Sequence, residues 1–182
     1  MCIRDRLAAA EPADAHGVAG IQPSNFSTRV LSVRPRVAGL SVRAADLGNK
    51  LEVDNHTGRD VTVLGYDGGP YLRVGPAGAF ENVRSPAVYL NRTRTGNVPA
   101  PRSTDPHATP EWRRTGDGPI VRWHDHRAHW LGVSNPLSVQ HDPGSQHVVQ
   151  RFTVMLVRDG VPIAVRGEVL WVPGPAPWAW VL

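Results

Sequence analysis

Cysteine is almost missing from this chain. Cys2 is the only one, so no intramolecular disulfide braces the fold and no paired-thiol chemistry is available. Lysine is equally scarce, with Lys50 alone beside nineteen arginines. The arginines are scattered, no run of five basic residues occurs, and the formal net charge is +4. That pattern argues against a nucleic-acid stripe. A stretch of about 20 apolar residues, enough to span a bilayer, is also lacking. No ten-residue segment shows the 3.6-residue apolar period of a helix. G-x-S-x-G, H-E-x-x-H and a phosphate-binding loop are absent too.

What remains is turn-rich. The 182 residues include 18 Gly and 17 Pro, with 41% hydrophobic residues. One domain with a real core fits this length, and the glycine and proline content favours an all-β fold. Short alternating segments recur at 28–33, 40–44, 50–55, 61–66, 71–75 and 78–83, separated by turn residues such as Asp67-Gly68-Gly69-Pro70. The expected architecture is a single antiparallel β-sandwich, Ig-like or cupredoxin-like.

The last hairpin is the clearest element. Asp159-Gly160 is the favoured dipeptide of a two-residue type I′ turn, so opposed residue numbers sum to 319. That register pairs Leu156 with Ile163, Val154 with Val165, Phe152 with Gly167 and Val148 with Trp171 on one face. Thr153 faces Arg166 and Arg151 faces Glu168 on the other. A slip of one residue would turn the apolar set to water. The Phe152 ring is expected to cover the bare Gly167.

Residues 91–119 break the rhythm with five prolines and read as one long irregular loop, of the length that is usually functional or disordered. The loop leads into "VRWHDHRAHW" (121–130). If 120–126 is a strand, His124 and His126 share a face about 6–7 Å apart, and His129 returns around a turn. Imidazole suits both zinc and copper. Asp125 would serve as a carboxylate partner to a ring N–H, with Trp123 and Trp130 enclosing the site. The same residues also suit a hydrogen-bonded corner with guanidinium stacked on indole, which holds the fold and binds nothing. His141 and His147 flank a turn, and His56 and His107 lie in loops. A zinc hydrolase would also need a general base, for which Glu111 and Glu168 are the candidates.

The two ends lie outside the expected fold. Residues 1–23 read as an artefactual junction, "MCIRDR", followed by the remnant of a secretory signal and a linker. Ala13-Asp14-Ala15 fits the small-x-small cleavage pattern. Cleavage there would place His16 at the mature N-terminus, where its amine and imidazole make a chelating pair for Cu(II). The domain is expected over 24–173. In 174–182, prolines give way to Trp178 and Trp180, as at a membrane interface leading into a truncated anchor.

"LGYDGGPYLRVGP", "SPAVYLNRT", "VRWHDHRAHW" and "GEVLWVPGP" together resemble a family of uncharacterised actinobacterial secreted proteins with a C-terminal membrane anchor. The resemblance runs from about Gly17 to Pro175. It implies a Gram-positive envelope location and no activity. The partners expected from the sequence are the membrane, through the missing anchor, and an envelope protein or metal ion. The chain departs from that pattern at both ends. It is more loosely similar to small copper-carrying periplasmic sandwiches, for which His16, His124, His126 and His129 would be the analogous set, copper before zinc. Three functions are therefore expected in order: a non-catalytic binding domain, a copper or zinc module, and a zinc hydrolase.

Overall fold

The computed structural model describes residues 25–93 and 95–174. His16, the 13–15 cleavage pattern and Trp178 and Trp180 lie outside the described residues.

The fold is all-β and sandwich-like, built of two antiparallel sheets. In chain order the strands are β1 (Phe26–Arg34), β2 (Leu40–Ala45), β3 (Lys50–Asn55), β4 (Val61–Leu64), β5 (Pro70–Gly75), β6 (Gly78–Asn82), β7 (Trp112–Gly116), β8 (Ile120–Trp123), β9 (His147–Arg158) and β10 (Val161–Trp171). Two five-residue helices, α1 (Pro86–Leu90) and α2 (Leu137–His141), join them. The large sheet runs β1-β10-β9-β4-β5-β6-β7 and the small one β2-β3-β8. In the large sheet β1 therefore pairs with β10, the first described strand with the last. Leu51, Val53, Val121 and Trp123 from the small sheet share one buried cluster with Val61, Val63, Val74, Phe152, Val154, Leu156, Ile163 and Val165 from the large one.

The β9–β10 hairpin keeps the 319 register from Arg158–Val161 to Gln150–Val169. Asp159 and Gly160 both have positive φ, as a type I′ turn demands. Beyond Val169 the pairing shifts by one, so Val148 faces Leu170 and His147 faces Trp171. The expected Val148–Trp171 pair is thus wrong, and the cause is a β-bulge. Val148 is exposed, while Trp171 is buried and donates its indole N–H to Pro143 O. Glu168 lies opposite Arg151, yet its carboxylate accepts from Arg29 on β1, on its other flank.

Two further expectations need correction. The stretch 91–119 is not one irregular loop, because Trp112–Gly116 adds β7 to the edge of the large sheet, paired to β6. The irregular part, 91–111, is tied to that sheet's end: Asp105 N donates to Arg84 O, and Glu111 N to Asn82 Oδ1. The segment 120–126 is a strand only to Trp123, and a short 3-10 turn then runs from His126 to Ala128.

The small sheet carries a buried charge. Glu52 is 2% exposed and stands between Arg43 on β2 and Arg122 on β8, its direct cross-strand partners. Both guanidinium groups donate to its carboxylate. Burial alone would raise its pKa, but the two arginines outweigh burial and hold it below the ordinary value. Asn55 is also buried, and its amide bridges Arg59 O and Val74 O while Thr57 donates to Oδ1. It shapes the 55–60 turn.

A Cβ on Gly167 would come within 2.3 Å of Phe152 Cζ and 2.6 Å of Arg29 O. Neither the packed ring nor the β1 backbone can retreat, so Gly167→Ala is expected to lower stability by about 1–3 kcal/mol. An unchanged urea midpoint would show that the ring does not rest on the glycine.

Candidate functional site

Two places carry chemistry: the histidine corner and a groove on the outer face of the large sheet. At the corner, the turn after Trp123 is set by Asp125, which caps the 126–128 turn by accepting from Arg127 N. The Asp125 carboxylate is fully buried. It accepts from Trp123 Nε1 at 2.8 Å, from Arg127 Nε at 2.9 Å and from Arg127 Nη2 at 2.8 Å, a two-pronged pair. Burial by itself would raise the Asp125 pKa, but the Arg127 guanidinium, with the Trp123 and Arg127 N–H groups, holds it below the usual carboxylate range.

Arg127 extends the network. Its Nη2 also donates to Leu64 O, and its guanidinium carbon lies 4.8 Å from the Tyr66 ring centre. The Tyr66 hydroxyl donates to Asn91 Oδ1 and accepts from His126 N. Burial, and then the charge on Asp125, push the Tyr66 phenol up to about 12. Thr28 Oγ1 and Gln150 Nε2 donate to Ala128 O and Arg127 O. One ten-residue stretch thus contacts β1, β4 and β9 and the 91–111 segment.

The three histidines do come together, although the H-x-H strand expected to place them does not exist. The His124 ring centre is 4.0 Å from that of His129, tilted by 36°, and 5.2 Å from that of His126, nearly perpendicular. Each ring meets a main-chain carbonyl: His124 Nδ1 with Asn49 O, His126 Nε2 with Thr93 O, and His129 Nδ1 with Asp125 O. A carbonyl only accepts, so the N–H of each ring sits on the named nitrogen. Metal-bound imidazoles radiate from their ion at about 2.0–2.1 Å, whereas His124 lies against His129 ring on ring. Among the described residues, no group of three or more His, Cys, Asp or Glu is arranged to hold a metal ion.

The expected supporting roles also differ. The Asp125 side chain serves Arg127 and Trp123, and only its main-chain oxygen reaches a histidine. Trp123 donates to Asp125, while Trp130 donates to Ser134 O and stacks on Phe26. His147 Nε2 meets Asp142 O, and His56 pairs with Asp54 on the surface. Glu168 is engaged by Arg29 and Glu111 by Arg84.

The second place was not legible in the sequence. Cross-strand pairing sets Val157, Thr62, Arg73, Phe80 and Arg114 in one row across five strands. The Arg73 guanidinium carbon lies 4.6 Å from the Phe80 ring centre and 4.7 Å from that of Trp112. Beside them opens a groove of about 840 Å³, walled by Leu64, Pro70, Pro110 and Val157 and edged by Arg59, Asp60 and Asp159. Only the isolated Trp112 in a proline-rich stretch hinted at it. The chain matches no family model, no curated protein and no solved structure.

Asp125→Ala would leave the Arg127 guanidinium, 19% exposed, without its carboxylate. It is expected to cost about 3–5 kcal/mol, with the double change Asp125→Leu, Arg127→Met costing less. A larger loss in the double variant, by chemical denaturation, would refute the pairing.

Burial, then the neighbouring His129, push the His124 imidazole down to about 4. The unfolded chain therefore takes up a proton near pH 6.5 that the folded chain refuses until about pH 4. Stability should fall with decreasing pH across that window, by at most about 1.4 kcal/mol per pH unit. His124→Phe should flatten the slope of melting temperature against pH between those values. An unchanged slope assigns the acid sensitivity elsewhere.

Proposed function

We propose that this chain is an extracytoplasmic, membrane-tethered β-sandwich that binds a ligand and carries out no catalysis. The observation that supports binding is the groove beside Arg73, where a charged group is held on two aromatic rings at the edge of an open, apolar-walled cavity. Such cavities, mostly apolar with a few fixed polar groups, are the usual form of a small-molecule site. The envelope location is supported by the signal-like 7–15 segment, by the tryptophan-rich tail and by the family resemblance. No helix among the described residues is long and apolar enough to cross a membrane. The zinc-hydrolase alternative loses support because both candidate bases are ion-paired to arginine.

A second reading, a copper or less favourably a zinc module, draws on the histidine tautomers. His124 Nε2 and His126 Nδ1 carry the lone pairs, and the rings are already neighbours. Coordination would require His124 to leave its stack with His129.

Protease treatment of intact cells making the full-length protein is expected to remove this domain while sparing a cytoplasmic marker, and the mature N-terminus should read His16. A protected domain overturns the location. In a fragment screen by nuclear magnetic resonance, the Trp112 indole N–H and Arg73 signals should move together. A library that moves neither overturns the binding function. Cu(II) and Zn(II) titrations with elemental analysis test the second reading, which falls if metal content is unchanged in the His124→Ala, His126→Ala variant.

A further inference from the structure

Arg73 carries an unusual combination of restraint and unused capacity. Its side chain is 30% exposed, and its nearest acidic oxygen, Asp60 Oδ2, lies 3.7 Å from Nε. Nε is buried and has no hydrogen-bond partner. Stacking on Phe80 and Trp112 engages the guanidinium through its carbon, which leaves the N–H edge for an acceptor lying in its plane. An arginine fixed in this way has already lost the side-chain freedom that binding would otherwise take. The acceptor that matches a guanidinium edge is a carboxylate, taken two-pronged.

The surroundings narrow the ligand further. Arg59 is exposed on the same rim, with no ion pair to a described residue, while Asp159 lies 3.6 Å from Arg158 and Asp60 faces Arg73. Within the groove the charges balance, Arg59 and Arg73 against Asp60 and Asp159, with Arg158 pairing Asp159 from outside the lining. That favours a monoanion over a phosphate dianion, which the carboxylates repel more strongly. The walls at Leu64, Pro110, Trp112 and Val157 suit an apolar body.

We propose that the groove binds a small organic acid, one carboxylate carried on an apolar or aromatic body, with Arg73 taking the carboxylate and Arg59 assisting from the rim. This rests on the binding function above and names its ligand class.

The test is a titration of the ¹⁵N-labelled protein at pH 7 with 3-phenylpropionate, with the uncharged 3-phenylpropanol and with inorganic phosphate, read at the Trp112 indole N–H and Arg73 Nε–H. The acid should bind at least tenfold tighter than the alcohol or phosphate. Arg73→Met should shrink the acid-to-alcohol ratio to below threefold. Arg59→Met, a change at an exposed rim that leaves the core untouched, should reduce the ratio two- to fivefold and decides the matter if Arg73→Met does not fold. Equal binding of acid and alcohol overturns the ligand class while leaving a binding groove. Phosphate matching the acid replaces it with a simple anion site. A groove that responds to none of the three probes overturns the ligand class, and the binding function itself then stands or falls with the fragment screen. A ratio unmoved by either arginine substitution overturns the assigned residues.

Discussion

The structure depends on one buried ion pair. Asp125 has no exposed surface, and its two oxygens are taken by Arg127 and the Trp123 indole. A carboxylate in that position is tolerable only if its hydrogen-bonding capacity is met, and meeting it forces the chain to turn sharply after β8. The turn aims Arg127 at β4 and Tyr66, and aims its own carbonyls at Thr28 and Gln150. Apolar side chains fill the space between the sheets, but they have no directionality. The polar corner supplies it, fixing how β8 meets strands far away in sequence.

The histidines follow from that corner rather than causing it. His126 and His129 lie at or just beyond the 3-10 turn, and their ring N–H groups close onto Thr93 and Asp125 carbonyls. His124 then packs on His129 in a space that disfavours a proton. Three rings side by side, each closed onto a main-chain carbonyl, make a polar joint. They also explain why a histidine-rich motif can mark architecture: imidazole offers one donor, one acceptor and a flat face at modest size.

Much of the fold was legible. Asp159-Gly160 announces its hairpin, alternation locates β1 to β6, and the Gly167–Phe152 complement appears in the register. Legibility stops where tertiary contacts override local pattern. The bulge at Val149 lies one pair from the buried Trp171, and no turn signal encodes it. β7 hides in "EWRRTG", whose charges read as loop until Arg113 meets Glu81 across the edge of the sheet. Residues 121–130 show which groups gather at the corner, but not that Asp125 would choose Arg127 over a histidine. The Arg73 groove needs five strands in register, and only the folded sheet brings them together.

The pairing of β1 with β10 has a consequence for biogenesis. Among the described residues β1 has its partner in the large sheet more than 120 residues downstream, and the Thr28–Ala128 bond spans 100 residues. Closing such distant contacts is slow compared with forming a local hairpin. A ribosome or translocation pore releasing this polypeptide front-first therefore delivers β1 well ahead of β10, and β1 must wait without its sheet partner until β10 has emerged.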